Sequence, residues 1–158
     1  TRMANETIDG IITSPPYSFA IDYLKGDQLQ LEYLGYDIDE LKKSMIGLRG
    51  RGMPEKVLNY VRDMNRTIGE MARVLKKDRY CVIVIGSNII QLENTLEIAA
   101  KENNHEIIHE FEKSTKLEDA LATIGEKHNL TLENRLSHPI EGIRNIMRSE
   151  ELLFFRKT

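Results

Sequence analysis

The segment Thr13–Tyr17 (Thr-Ser-Pro-Pro-Tyr) carries the residue types best suited to chemistry in this chain. Proline fixes its own backbone, donates no hydrogen bond and pushes the residue before it toward extended geometry. We therefore expect the Ser14 hydroxyl to project from a stiff bend, with the Pro15 carbonyl able to accept a hydrogen bond and the Tyr17 ring beside both. The preceding stretch, Ile8–Thr13, is apolar and β-branched, which predicts a buried strand. Ligands of open α/β sheets bind outside the carboxyl ends of strands, so the bend lies where a site is expected.

Such a bend suits reaction at the exocyclic amine of a nucleobase. That nitrogen is a poor nucleophile because its lone pair is delocalised into the ring. Two acceptors aimed at its hydrogens, the Ser14 hydroxyl and the Pro15 carbonyl, favour a more tetrahedral nitrogen. The Tyr17 ring can stack on a base that has left the duplex. Methyl transfer from a sulfonium then needs mainly alignment. The alternative interpretation is a structural Pro-Pro turn after a strand.

The elements around this bend predict an α/β fold with helices on both faces of the sheet. Apolar residues recur with helical spacing from Val57 to Leu75, behind Pro54 in a first-turn position, and this predicts a helix ending near Lys76 and Lys77. Residues 80–85 are apolar throughout, which is typical of a strand covered on both faces. Further helices are predicted at 27–34 and 38–46, started by Asp27 and Asp37 as caps, and at 91–101 and 117–128. Strands are predicted at 130–137 and 151–157.

Composition narrows the class of protein. The 158 residues, 41% hydrophobic and 30% charged, suffice for one compact domain. The net charge of −3 argues against a general nucleic-acid coat protein. The single cysteine, Cys81, excludes an internal disulfide and a cysteine-based zinc site. His105 and His109 are four residues apart but have no evident third ligand, so no metal site is predicted. No apolar run approaches the roughly 18 residues that span a bilayer, and no signal-like start is present. The sequence predicts a cytoplasmic protein with no membrane partner.

Residues 11–23 (Ile-Ile-Thr-Ser-Pro-Pro-Tyr-Ser-Phe-Ala-Ile-Asp-Tyr) resemble the catalytic motif of S-adenosylmethionine-dependent DNA methyltransferases that modify exocyclic amines, cytosine N4 or adenine N6. Residues 72–86 look like that family's helix and following central strand, and residues 144–157 look like its closing strand. The resemblance implies a Rossmann-like methyltransferase fold. This chain would supply its C-terminal half, a mixed sheet of about four strands with an antiparallel closing hairpin.

The resemblance also implies roles for individual residues. Ser14 and Pro15 would orient the target amine, Pro16 would complete the catalytic bend, and Tyr17 would stack on the flipped base. Serine at the first position resembles the cytosine-N4 variant more than the adenine-N6 variant, in which Asp or Asn is usual. The implied partner is DNA, as in restriction-modification enzymes, and the implied cofactor is S-adenosylmethionine. The residues expected to border the methionine end of the cofactor are Thr13, Ser18 and Phe19. The basic residues expected to contact DNA are Arg49, Arg51, His138, Arg144 and Arg148.

Two features depart from the family. Its Gly-rich cofactor turn follows the first strand, whereas the only Gly-x-Gly here, residues 50–52, follows no predicted strand and lies among cations. We therefore expect residues 1–158 to form a single partial methyltransferase domain that lacks the N-terminal half and binds the cofactor weakly or not at all. An exposed edge strand would also favour self-association. The other departure is residues 91–115, a stretch longer and more acidic than the usual connection and a candidate insertion.

Two other functions stay open at this point. One is a methyltransferase acting on RNA or on a protein glutamine, because those enzymes share a similar loop. They usually carry Asn or Asp where this chain has Ser14. The other is a non-catalytic binding or regulatory module.

Overall fold

A computed structural model of the chain describes residues 3–17, 23–86, 89–112, 114–140 and 149–158. Four strands and six helices occur within these residues. In chain order they are β1 (Ile8–Thr13), α1 (Tyr23–Tyr33), α2 (Ile38–Ser44), α3 (Met53–Val74), β2 (Leu75–Gly86), α4 (Ile89–Lys101), α5 (His105–Glu110), α6 (Leu117–Lys127), β3 (Leu130–Pro139) and β4 (Ser149–Lys157). No helix in this part of the chain is both long and apolar enough to cross a membrane.

The strands form one mixed sheet in the order β1-β2-β4-β3. β1 runs parallel to β2, while β4 runs antiparallel to both β2 and β3. A parallel pair needs a long crossover connection, and helices α1 to α3 supply it. The structure thus confirms the predicted α/β class and the antiparallel closing hairpin. This topology places the carboxyl ends of β1 and β2 beside the start of β4.

One face of the sheet carries the core, and we call it the covered face. The buried strand side chains on this face are Cys81, Ile83, Ile85, Leu153 and Phe155. Helices α3 and α6 contact the sheet, and their buried residues join the same hydrophobic cluster. The predicted helical stripe of α3 faces this cluster with Val57, Val61, Met64 and Ile68. Burial of these apolar side chains is the dominant favourable contribution to folding.

The opposite face, which we call the open face, differs from the prediction. Ile12 of β1 is 83% exposed, Leu136 of β3 is 50% exposed and Tyr80 of β2 is 48% exposed. Val82 and Phe154 lie between them and are half-buried. The order of the elements predicted helices on both faces, and the apolar residues 80–85 likewise indicated a strand covered on both faces. Within the described residues this second helical layer is not seen, and an apolar sheet surface is left in contact with solvent.

Two predicted helix boundaries were wrong. The long helix α3 ends at Val74, and β2 begins at Leu75, so Lys76 and Lys77 are strand residues. Leu75 is fully buried. It fits the apolar pattern of the helix and is also the first residue of the strand, so the end of the helix could not be located from the sequence. Helix α1 begins at Tyr23, so Asp27 lies inside it instead of capping it.

Other boundaries agree with the sequence. Asp37 caps α2, and its carboxylate accepts hydrogen bonds from the backbone N–H groups of Asp39 and Glu40 at 2.9 and 3.1 Å. The acidic stretch 91–115 contains most of α4 and all of α5. It contributes Leu92 and Ile107 to the hydrophobic cluster.

Candidate functional site

The Pro-Pro loop leaves the carboxyl end of β1 at the edge of the sheet that also holds Gly86 of β2 and Glu150 of β4, which are paired in register. Ser14 is exposed, Pro15 is buried, and Tyr17 is half-buried against the hydrophobic cluster. The buried proline anchors the bend, which leaves the serine at the surface. Tyr17, although packed against this cluster, is not fully buried.

A chain of hydrogen bonds links this loop to the closing hairpin. The Ser14 hydroxyl donates to the Tyr17 hydroxyl oxygen at 3.3 Å, and the Tyr17 hydroxyl donates to Oε1 of Glu150. Burial raises the pKa of Tyr17 above its usual value, and the hydrogen bond to the Glu150 carboxylate raises it further. No backbone amide donates to the Ser14 oxygen among the hydrogen bonds of the described residues. Sequence reasoning missed Glu150, because nothing in the Glu150-Glu151 pair distinguishes one acid from the other.

Two further tyrosines lie near the loop, and sequence reasoning assigned neither of them a role. The backbone N–H of Tyr17 donates to the hydroxyl oxygen of Tyr23 at 3.3 Å. Tyr60 of α3 is fully buried, and its pKa is raised by burial and then by the nearby Tyr23 and Tyr17 hydroxyls. Tyr23 could have been identified from the sequence, because it is the last residue of the 11–23 segment. The loop is thus held from α1 as well as from β4.

The predicted DNA contacts Arg49 and Arg51 lie between α2 and α3 in different environments. The Arg49 guanidinium pairs with the carboxylate of Asp63, a side chain that is only 13% exposed. The backbone carbonyl of Arg49 accepts a hydrogen bond from the side-chain amide of Asn59 at 3.2 Å. Arg51 is exposed, and its backbone N–H donates to Glu55 at 2.9 Å. Arg49 therefore fastens the loop to α3, whereas Arg51 points its charge toward solvent.

The remaining predicted site residues divide into two groups. His138 is exposed on β3 and is paired in register with Glu150, so the two side chains lie on the same face of the hairpin. Thr13 is half-buried at the end of β1 and shares the covered face with its partner Ile83. The predictions that fall outside the described residues are Ser18, Phe19, Arg144 and Arg148.

The glycine loop does not fit S-adenosylmethionine. It follows helix α2 and leads into α3 instead of following a strand. Gly50 has a φ of 136°, and a Cβ at this position would lie 2.8 Å from the backbone nitrogen of Lys56. The glycine at position 50 is thus explained by a close approach within the chain. The described residues also contain no cluster of three or more His, Cys, Asp or Glu side chains that could hold a metal ion.

Comparison with known proteins gives a partial sequence relative and loosely similar solved structures. No protein-family model matches the chain. The type II methyltransferase M.MjaII of Methanocaldococcus jannaschii is 35% identical over 82 residues, which cover 51% of this chain and 15% of that protein. A SAM-dependent methyltransferase structure from Methanosarcina mazei aligns with 99% of this chain and 62% of its own, at 11% identity and a TM-score of 0.48. This structural likeness is too loose to carry a conclusion. The chain spans only part of both relatives.

Proposed function

We propose that this chain is the target-base part of an S-adenosylmethionine-dependent methyltransferase that modifies an exocyclic amine of a DNA base, cytosine N4 in preference to adenine N6. The observation that carries the proposal is the Ser14–Tyr17 loop at the carboxyl end of β1, with Ser14 exposed and Tyr17 half-buried. The partial similarity to a type II methyltransferase supports the class of reaction.

The residues of the loop act on the amine and on the base ring. The Ser14 oxygen and the Pro15 carbonyl accept the two amine hydrogens, which directs the nitrogen lone pair away from the ring. The Tyr17 ring stacks on the flipped base and limits its rotation, so the nitrogen is held in line for transfer. S-adenosylmethionine supplies the methyl group when it is bound. We propose that the main cofactor site lies on a second polypeptide segment, because the glycine loop follows a helix instead of a strand, and that Thr13, Ser18 and Phe19 border the methionine end of the cofactor.

The open face supports the proposal that such a segment docks on this chain. Sheets that contain parallel strands are normally covered on both sides. Here Ile12, at 83% exposure, lies on β1, and β1 pairs only with β2 among the described strands. We propose that the cofactor-binding half adds along the free edge of β1 and covers the open face, which places its cofactor turn beside Ser14.

The decisive experiment is methylation by the assembled protein, meaning this chain together with its cofactor-binding segment. Labelled S-adenosylmethionine is supplied with duplex DNA, single-stranded DNA or tRNA, and the methylated nucleoside is identified. Methylated cytosine N4 in DNA is expected. Incorporation into RNA alone would overturn the DNA assignment, and methylation of adenine N6 would overturn the preference for cytosine.

Substitutions in the loop test whether it performs the chemistry. Ser14→Ala should reduce kcat by on the order of 100-fold, comparable to the loss of one preorganised hydrogen bond to the reacting group. Tyr17→Ala should also reduce kcat, because it removes the ring that stacks on the base. The matched controls are Ser44→Ala at the end of α2 and Tyr33→Ala on α1, where the tyrosine is 90% exposed. Unchanged turnover in both loop variants would mean that the loop is structural.

Calorimetry tests the location of the cofactor site. This chain alone should give little heat with S-adenosylmethionine, because the glycine loop is occupied by its own backbone. A clear micromolar isotherm would refute the separate cofactor half. Sedimentation of the chain alone tests the edge strand of β1, because self-association through that edge should disappear when the cofactor-binding segment is added.

The DNA contacts are a further part of the proposal. Arg51→Ala and His138→Ala should weaken DNA binding, and loss of one phosphate contact should reduce the salt dependence of the affinity by a slope of about 1. We propose phosphate contacts for Arg144 and Arg148 as well. Arg49 was also expected to contact DNA. Because it pairs with Asp63, Arg49→Ala should mainly loosen the loop against α3.

A further inference from the structure

We propose that Glu150 is a positioning residue that fixes the direction of the hydrogen bonds at the site and thereby makes Ser14 an acceptor. The inference rests on the proposed function, because only an amine substrate requires an acceptor at this position. It adds a residue from the closing hairpin, 133 positions away in sequence from Tyr17, to the machinery of the Pro-Pro loop.

A serine hydroxyl is chemically ambiguous, and this is the problem that Glu150 solves. An ionised carboxylate can only accept hydrogen bonds, whereas a hydroxyl either donates its one hydrogen or accepts. An enzyme that uses serine to hold an amine needs the serine hydrogen to be directed elsewhere. Otherwise the hydroxyl points its hydrogen at the amine, and the hydrogen bond that orients the lone pair is lost.

The hydrogen-bond chain resolves this ambiguity one atom at a time. The Glu150 carboxylate can only accept, so the Tyr17 hydroxyl donates its one hydrogen to Oε1 of Glu150. The Tyr17 oxygen can then only accept from its other neighbour, and Ser14 donates to it at 3.3 Å. With its hydrogen committed, exposed Ser14 presents only lone pairs to a substrate. The Glu150 carboxylate, at the other end of this series of hydrogen bonds, therefore sets the direction in which each hydroxyl donates.

The position of Glu150 follows from the register of the sheet. Glu150 pairs with Gly86 on one side and with His138 on the other, at the end of the sheet from which the Pro-Pro loop emerges. Its neighbour Glu151 lies on the opposite face and pairs with Arg135. Glu150 therefore reaches Tyr17, and Glu151 provides a matched acid that does not. Tyr17 is half-buried, which shields the hydrogen bond from competition with water.

The first test needs only this chain and no activity. The ionisation of Tyr17 is followed by NMR of ring-labelled tyrosine, and its signal is assigned by its loss in Tyr17→Phe. Glu150→Gln should lower the pKa of Tyr17 toward its usual value, since a charged acceptor is replaced by a neutral one. Glu151→Gln should leave the Tyr17 titration unchanged. The hydrogen bonds from Ser14 through Tyr17 to Glu150 are called the relay below. The same response of the Tyr17 pKa to both substitutions, or no response to Glu150→Gln, would overturn the relay.

The second test measures turnover by the assembled protein. Tyr17→Phe keeps the ring but breaks the relay, and Glu150→Ala removes its end. Each should lower kcat by about tenfold with little change in KM, the value expected for one hydrogen bond. The double variant should be no worse than either single variant, because one unit is lost once. Glu150→Gln should retain more activity than Glu150→Ala, since the amide oxygen still accepts.

Replacement of the serine supplies the strictest control. In the Ser14→Asp variant the carboxylate at position 14 accepts hydrogen bonds whether or not Glu150 is present. Adding Glu150→Ala to this variant should therefore cause no further loss of activity. Additive losses in that background, or in the double variant, overturn the role of Glu150. If the unsubstituted assembled protein transfers no methyl group, the proposed function fails and this role fails with it. If it transfers methyl groups while the Tyr17 titration ignores Glu150, only the relay is refuted.

Discussion

Replacement of Arg135 by methionine should destabilise the fold more than any other single loss of charge on the β3–β4 hairpin. The Arg135 guanidinium meets the carboxylates of Glu118 at 3.0 Å, Asp119 at 2.6 Å and Glu151 at 3.0 Å. The first two belong to α6 and the third to β4, so this cation ties the hairpin to the helical layer. Methionine preserves much of the apolar stem but leaves these carboxylates without the Arg135 charge.

The expected magnitude follows from the burial of the partners. Removing one member of a buried ion pair costs roughly 3–5 kcal/mol. The Glu118 and Glu151 side chains are 7% and 13% exposed, but Arg135 is 31% exposed and Asp119 is 36% exposed, so solvent screens part of the interaction. We therefore expect Arg135→Met to lower the free energy of unfolding by about 2–4 kcal/mol.

The deficit should also depend on pH. Burial acts to raise the pKa of Asp119, but hydrogen bonds from Ser114 and Arg135 and the charge of Arg135 outweigh it and lower the pKa below 3.8. A carboxyl group with a lowered pKa stabilises the folded state above its unfolded pKa, and this contribution is lost as the pH falls through the folded value. The difference between Arg135→Met and the unsubstituted chain should therefore narrow below pH 3.8.

The assay is urea unfolding followed by far-UV circular dichroism, since the chain has no tryptophan. Arg156→Met is the matched control, because Arg156 lies on β4 and pairs with Asp78 and Glu133 at the surface. We expect a much smaller loss there. Adding Glu118→Gln to Arg135→Met should restore part of the stability by neutralising the most buried acid. Equal losses of stability in the two arginine variants, or a loss from Arg135→Met that does not shrink in acid, would contradict this prediction.

Three further predictions concern packing and buried titratable groups. A Cβ on Gly125 would lie 2.6 Å from the ring of Phe155, so Gly125→Ala should destabilise the fold by about 1–3 kcal/mol by the urea assay, whereas Gly26→Ala, with no atom within 4 Å, should not. Burial raises the pKa of Tyr60, so its ionisation in the unfolded chain should lower stability above pH 10 by up to about 1.4 kcal/mol per pH unit, and Tyr60→Phe should remove this contribution from alkaline unfolding curves. Burial raises the pKa of Cys81 to about 11, so iodoacetamide should label it only on unfolding, and rapid labelling of the native chain would contradict its place in the core.

The sequence predicted those parts of the fold that depend on local rules. Proline restricts its own backbone and that of its neighbour, so the bend at Ser14 was recognisable without any partner. Periodic apolar residues likewise indicated β1, α3 and the closing strands. The junction at Leu75 was mistaken because one buried leucine satisfies both the helical and the strand pattern, and α1 was begun too late because Asp27 suggested a cap.

Contacts between distant parts of the chain could not be predicted in this way. Tyr17 and Glu150 meet only because β4 lies beside β2, and a single sequence does not reveal that register. Arg49 illustrates the same limit at shorter range. Its charge suggested a DNA contact, which stays a prediction, but its ion pair with Asp63, 14 residues later on α3, was not predicted. The sequence also gave no indication that the described helices leave Ile12 uncovered.

The direct passage from α3 into β2 limits how this chain can vary in length. Val74 is the last helical residue and Leu75 the first strand residue, so no loop residue separates them. The buried side of the helix and the inward-facing positions of the strand are therefore fixed relative to each other. One inserted residue would rotate the helix by about 100° against the strand, or exchange the inward and outward side chains of β2. Either change would turn Ile83 out of the interior or withdraw Met64 from it. Insertions should instead be tolerated at Gly35, in the exposed turn that joins α1 to α2.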